Sequence, residues 1–168
     1  MNRRAFTLIE LLVVIAIIGL LTTIAVVAYT STQKQTRNAK RIADIKQFVT
    51  AFNLGYDANG SYPDPHDTNF HCISIDCYGL WNVYPDDTVY TDPFFSPYLK
   101  TKPSDPSNNK NHDNRDWGGY VYGYNFGGPF PLGHLIVYSL ETPASCGPGF
   151  LSATASNYIR CVVNLDNY

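Results

Sequence analysis

Phe6-Thr7-Leu8-Ile9-Glu10, continued over residues 11–29 as LLVVIAIIGLLTTIAVVAY, is the stretch that decides how this chain is organised. It holds about twenty near-continuous apolar residues, enough to cross a hydrocarbon core roughly 30 Å thick as a helix. One ionisable group, Glu10, lies in its first turns. An isolated carboxylate at bilayer depth costs about 2.5–3.5 kcal/mol on insertion scales. A helix that keeps one is expected to give it a partner. The run is preceded by Arg3, Arg4 and the small residue Ala5. A secretory signal has a shorter apolar stretch with its small-residue cleavage site after it. Here the order is reversed, so cleavage after Ala5 leaves the helix on the mature chain as an anchor.

From Thr30 to Tyr56 the pattern stays helical, with no proline and glycine only at Gly55. Ala39, Ile42, Ile45, Val49, Phe52 and Tyr56 recur at three- and four-residue steps, with Phe48 flanking, and predict one apolar face. Lys34, Arg37, Arg41 and Asp44 fall on other faces. A continuous helix from Phe6 to Tyr56 is roughly 75 Å long. Residues 31–50 carry five basic side chains against one acid, whereas residues 51–168 carry five against twelve. A basic stalk thus bears an acidic head, a pattern that suits a solvated helix face, subunit packing or anionic headgroups. Charge leaves the topology open: Arg3 and Arg4 favour a cytoplasmic N-terminus, but five basic residues follow the other end of the run.

Asn59-Gly60-Ser61-Tyr62-Pro63 ends the helix in a turn. Residues 64–116, rich in Pro, Asp, Asn and Ser, read as a long connecting loop with short ordered pieces. Tyr120–Phe126 and Leu135–Leu140 read as an antiparallel pair around a Gly-Pro loop, with a third strand at Tyr158–Leu165. The expected fold class is α+β, a small antiparallel sheet laid across the amphipathic half of a long helix. Its segments are 1–5 (leader), 6–29 (membrane helix), 30–56 (amphipathic continuation) and 57–168 (head).

All four cysteines, Cys72, Cys77, Cys146 and Cys161, lie in the head. Their even count favours disulfides in an oxidising compartment. Three pairings are open, and short loops favour Cys72–Cys77 with Cys146–Cys161. A zinc site from His66, His71, Cys72 and Cys77 matches no usual finger spacing. Asp105, Ser107, Asn109, Asn111, Asp113 and Asp116 stand at positions 1, 3, 5, 7, 9 and 12 of an EF-type calcium loop. Lys110 replaces its turn glycine and Asp116 its bidentate glutamate, so a polar surface loop is the favoured reading and no cofactor is expected. The tyrosines, 13 in all, read first as sheet and interface residues, with a sugar-stacking surface as the alternative. No nucleophile motif accompanies the four histidines and no phosphate-cradling loop appears. Enzyme activity is not expected, and nothing points directly to nucleic acid.

Arg3-Arg4-Ala5 with FTLIELLVVIAIIGLL resembles the leader and filament-core helix of type IV pilins, including the pseudopilins of type II secretion. Asn59-Gly60-Ser61-Tyr62-Pro63 is similar to the N-G-x-Y-P turn of major pseudopilins. Residues 98–106, YLKTKPSDP, are similar to their YLKxxPxDP segment. The resemblance implies prepilin-peptidase cleavage between Ala5 and Phe6, methylation of the new Phe6 amine, and pairing of Glu10 with that amine on a neighbouring subunit. It implies a homopolymer of N-terminal helices, served by a membrane platform protein, an assembly ATPase and other pilins. The implied location is single-pass in the inner membrane with the head periplasmic or extracellular. Ala5 stands where the family usually has Gly, and Val27 where it often has Pro. The acidic calcium-binding C-terminal loop of secretion pseudopilins is not visible, and Cys146 with Cys161 instead resembles the C-terminal disulfide loop of many pilins. A surface pilin for adhesion, motility or DNA uptake, and a solitary membrane-anchored binding module, are the competing expectations.

Overall fold

The computed structural model describes residues 7–64, 69–75, 77, 83–84, 91–106, 118–127, 130–155 and 157–168. The chain divides into two compact units, Met1–Thr36 and Arg37–Tyr168, and helix α1, Leu8–Asn59, contributes to both. The helix runs three residues past its expected end. It stops at Gly60, whose φ of 79° suits a residue without a Cβ and whose N–H still donates to the Tyr56 carbonyl at 2.7 Å.

In the second unit, five strands form an antiparallel sheet: β1 (Phe70–Cys72), β3 (Val121–Tyr124), β4 (His134–Glu141), β6 (Tyr158–Asn164) and β5 (Phe150–Thr154), adjacent in that order. A two-residue strand, β2 (Val83–Tyr84), adds in parallel outside β1. A four-residue helix, α2 (Asp92–Phe95), and a 3₁₀ turn at Leu165–Asn167 complete the described elements. The molecule is α+β with a pilin-like arrangement. The expected β3–β4 pair is present with Tyr122 opposite Ile136, and β6 joins β4 with Tyr138 opposite Cys161.

Strand β4 is buried from Leu135 to Leu140 because both of its faces are covered. Ile136, Tyr138 and Leu140 join the cluster that α1 builds with Ile45, Phe48, Val49 and Phe52, whereas Leu135 and Val137 pack on the other face with Phe70, Val121 and Phe130. The alternation is thus intact, but both sets are apolar. On the helix side, Phe52 stacks on Tyr122 with ring centroids 5.0 Å apart, and Phe48 meets Phe95 edge-on at 5.5 Å. Gly55 is required here: a Cβ would lie 2.5 Å from the Phe94 ring.

Two expectations are corrected. The buried face of α1 is centred about one position earlier than the apolar pattern indicated. Phe48 is fully buried rather than flanking, Asn38, Arg41 and Asp44 are buried, and Ala39 and Tyr56 are exposed. Polar side chains displaced the apolar face because the sheet and the segment around Asp105 supply them with partners. Strand β5 also lies where no strand was expected, whereas β1 falls within the loop that was expected to hold short helical or extended pieces. β1 is too short to display a period of two, and β5 is an edge strand with neither face fully buried, so neither carries the alternation by which strands are read.

Candidate assembly site

The first described residues form a capping box. Thr7 precedes the helix, and its N–H and hydroxyl both donate to Oε2 of Glu10, at 2.8 and 2.9 Å, while the Glu10 N–H donates to the Thr7 hydroxyl at 3.3 Å. The helix start thereby satisfies donors that have no intrahelical acceptor, which matters most where no water reaches them. Glu10 therefore has a partner inside its own chain. The Thr-x-x-Glu spacing ahead of an apolar run was legible in the sequence and was missed. Among the described residues Oε1 of Glu10 accepts nothing. Ala5 and Phe6, the expected cleavage and methylation positions, lie outside the described residues.

Beyond Glu10 the helix is apolar on every side and carries exposed Leu, Ile and Val up to Val26. It contains the one described helix long and apolar enough to cross a membrane. Its threonines do not leave hydroxyls unsatisfied. Thr22 donates to the Ile18 carbonyl at 2.6 Å and Thr23 to the Leu20 carbonyl at 2.7 Å. The apolar surface is thus intact for lipid or for other helices.

In the second unit, the basic part of α1 is a charge clamp. Arg41 donates from Nε and Nη2 to the two oxygens of Asp105, each at 3.0 Å, and from Nη1 to Glu141 and Asn38, also at 3.0 Å. Arg37 makes a second two-pronged contact with Glu141, at 2.7 and 2.6 Å. Asn38 pairs with the Glu141 backbone in both directions, donating to its carbonyl at 2.7 Å and accepting from its N–H at 3.0 Å. One turn on, Asp44 accepts from Lys40 at 2.7 Å and from the Tyr120 hydroxyl at 2.8 Å, while Lys40 also donates to the Ser104 carbonyl at 2.8 Å. Burial alone would raise the Glu141 carboxyl, but hydrogen bonds from Arg37 and Arg41 outweigh it and hold it below its ordinary value. Burial first, then the Asp44 carboxylate, pushes the Tyr120 phenol far above its usual range. A solvated helix face therefore does not describe Arg41, which is buried, whereas Arg37 is half-buried against Glu141 and Lys40 stays exposed while pairing with Asp44. Lys34 and Lys46 remain without an ion pair among the described residues.

Both of the short segments after α1 have a structural task, one in the clamp and one outside it. Asp105 of the P-S-D-P stretch receives Arg41, and Tyr62 of the N-G-S-Y-P turn contacts the Asn53 side chain at 2.8 Å and the Leu165 carbonyl at 3.2 Å through its hydroxyl. Cys72 is joined to Cys77 and Cys146 to Cys161. The first bond removes both sulfurs from the zinc alternative. Of the calcium-loop candidates only Asp105 is described, buried and already held by Arg41; Ser107, Asn109, Asn111, Asp113 and Asp116 lie outside the described residues. Among the described residues no group of three or more His, Cys, Asp or Glu side chains is arranged to hold a metal ion.

The family model for the prokaryotic N-terminal methylation motif matches residues 1–26. No curated protein and no solved structure matches the chain. The matched span contains Arg3, Arg4 and Ala5, the capped Glu10 and most of the exposed apolar helix. The chain carries at its N-terminus the prepilin-peptidase motif of type IV pilins and pseudopilins.

Proposed function

We propose that this protein is a structural subunit that polymerises through its N-terminal helix into a type IV pilus-like or type II secretion pseudopilus filament. The observation that carries the reading is the methylation motif running into a helix that is apolar all round. Residues 1–5 are removed by prepilin peptidase, the Phe6 amine is methylated, and the subunit waits in the inner membrane with its head periplasmic or extracellular. A platform protein and an assembly ATPase then move it into the fibre. There the apolar helix exchanges lipid for packing among similar helices, at little change in solvation.

Glu10 sets the register. Its Oε2 stays with the capping box of its own chain, and its free Oε1 receives the Phe6 amine of a neighbour. In the low dielectric of a helix bundle, removing one member leaves the other charge unpaired, which is costly. The secretion reading is supported by the N-G-S-Y-P turn and the P-S-D-P segment. The surface-pilus reading is supported by the Cys146–Cys161 bond, which closes a loop near the C-terminal end of the sequence.

Mass spectrometry of the purified protein tests the processing: a chain beginning with methylated Phe6 is expected, and an intact Met1 would instead favour a solitary membrane-anchored module. Glu10→Ala is expected to insert normally and to abolish or severely impair filaments, scored by electron microscopy of sheared fibres. Normal filaments from that variant would rule out the register role. Fibres on the wild-type cell surface would favour the pilus over the pseudopilus.

A further inference from the structure

Between the C-terminal end of α1 and the Leu165–Asn167 turn lies an open cavity of about 560 Å³. It falls within the size range of small-ligand clefts, about 300–1,000 Å³. Its lining has a definite chemistry. Tyr56 and Tyr62, both on its lining, pack against each other with ring centroids 4.7 Å apart, tilted by 39°. Tyr62 is backed by His134 at 5.0 Å, which in turn stacks on Tyr124 at 4.5 Å, so the platform is braced from beneath. Tyr56, on the lining of the cleft, is 43% exposed.

Around these rings stand Asn53, Asp57, Asp166 and Asn167, and among the described residues no Lys, Arg or His lines the cavity. Among the described residues the side chains of Asp57 and Asn167 have no hydrogen-bond or ion-pair partner. Asp166 is oriented by His134, whose backbone N–H donates to Oδ2 at 2.8 Å and whose Nδ1 lies 2.7 Å from Oδ1.

We propose that this cleft binds a neutral glycan, stacking a sugar ring on Tyr56, which Tyr62 backs, and holding its hydroxyls with Asn53, Asp57 and Asn167. A sugar offers an apolar C–H face and a rim of hydroxyls that both donate and accept. Tyrosine supplies the matching apolar body with a polar edge, an amide donates and accepts, and a carboxylate accepts. Acidic sugars are disfavoured, because Asp57, Asp166 and the negative end of the α1 dipole face the same space. A basic peptide fits less well: Asp166 is already paired with His134, and most of the remaining polar groups are neutral. None of these residues takes part in the clamp or the N-terminal motif. The cleft therefore does not depend on the filament reading, although a filament would repeat it and convert weak single-site binding into avidity.

The test is calorimetric titration of the full-length protein, in a detergent without a sugar headgroup, with chitotriose, cellotriose, mannotriose, oligogalacturonate and oligolysine. Saturable binding of at least one neutral trisaccharide is expected, with none to oligogalacturonate. That binding is expected to weaken about tenfold or more, roughly 1.4 kcal/mol, in Tyr56→Ala and in Asn167→Ala. Both are surface substitutions, and circular dichroism melts unchanged from wild type would show that the fold is intact. Absence of binding to all three neutral sugars, undiminished binding in both variants, or preference for oligolysine would each overturn the proposal. None of these outcomes bears on Phe6 processing or on Glu10, so the filament reading stands or falls separately.

Discussion

A guanidinium that is 4% exposed has lost nearly all of its hydration, and Arg41 keeps its charge because three side chains converge on it. Such a pair adds little over a well-packed apolar substitute, whereas removing one partner strands the other charge. Arg41→Met is therefore expected to destabilise the protein by about 3–5 kcal/mol in urea denaturation, and Arg41→Met with Asp105→Leu by clearly less. Glu141 adds a pH dependence. Its folded carboxyl lies below the ordinary value of 4.5, so the unfolded chain binds the extra proton. Its contribution to stability is complete above that ordinary value and is lost as the pH falls through the lowered one. Denaturation midpoints are expected to drop below about pH 4.5, and Glu141→Gln is expected to flatten that part of the profile. At this scale the sequence told only half of the story. The charge on Arg41 was visible, but its acceptors lie 64 and 100 residues away, so its burial was not. The Thr7–Glu10 capping box, by contrast, spans three residues and was fully legible.

Helix α1 illustrates why elements with strong local signals are readable and short ones are not. Its helical period extends over many turns, and the only breaks come at Gly60 and Pro63, so its existence follows from the residues alone. Its rotation about its own axis does not. Which face turns inward depends on what the sheet and Asp105 offer, and the clamp drew Asn38, Arg41 and Asp44 inside. The core side of that choice is testable. Phe52 is fully buried among Phe94, Phe95 and Tyr122. Phe52→Ala is expected to cost about 3–5 kcal/mol in a urea titration, because the rings around it are fixed by β3 and α2 and collapse incompletely. An effect under about 1 kcal/mol would mean that this face is not the core. Strand β5 remained hidden, and β1 was expected only as an unplaced extended piece, for the opposite reason. A three-residue strand and an exposed edge owe their pairing to a neighbour already in place, here β3 and β6.

At the scale of the molecule, the chain divides at Thr36/Arg37 into two compact units. Residues 8–26 expose apolar side chains, whereas the buried hydrophobic clusters among the described residues are built from side chains of the second unit. Residues 37–168 expressed alone are accordingly expected to be soluble and to unfold cooperatively with a sloping pre-transition absent from circular dichroism. A chain beginning at Asp44 is expected to melt earlier, because it lacks the Arg37–Asn38–Arg41 side of the clamp. Equal melting of the two would show that the clamp adds no stability. The sequence by itself determined the membrane-length helix, the motif over residues 1–26 and the α+β class, because span length and residue pattern are local properties of consecutive residues. Only the tertiary structure decided which basic residues of α1 turn inward, which short segments become strands, and how Asn53, Tyr56, Asp57, Asp166 and Asn167 come to share one cleft. Those outcomes depend on partners distant in the chain, and burial is set by whatever packs alongside.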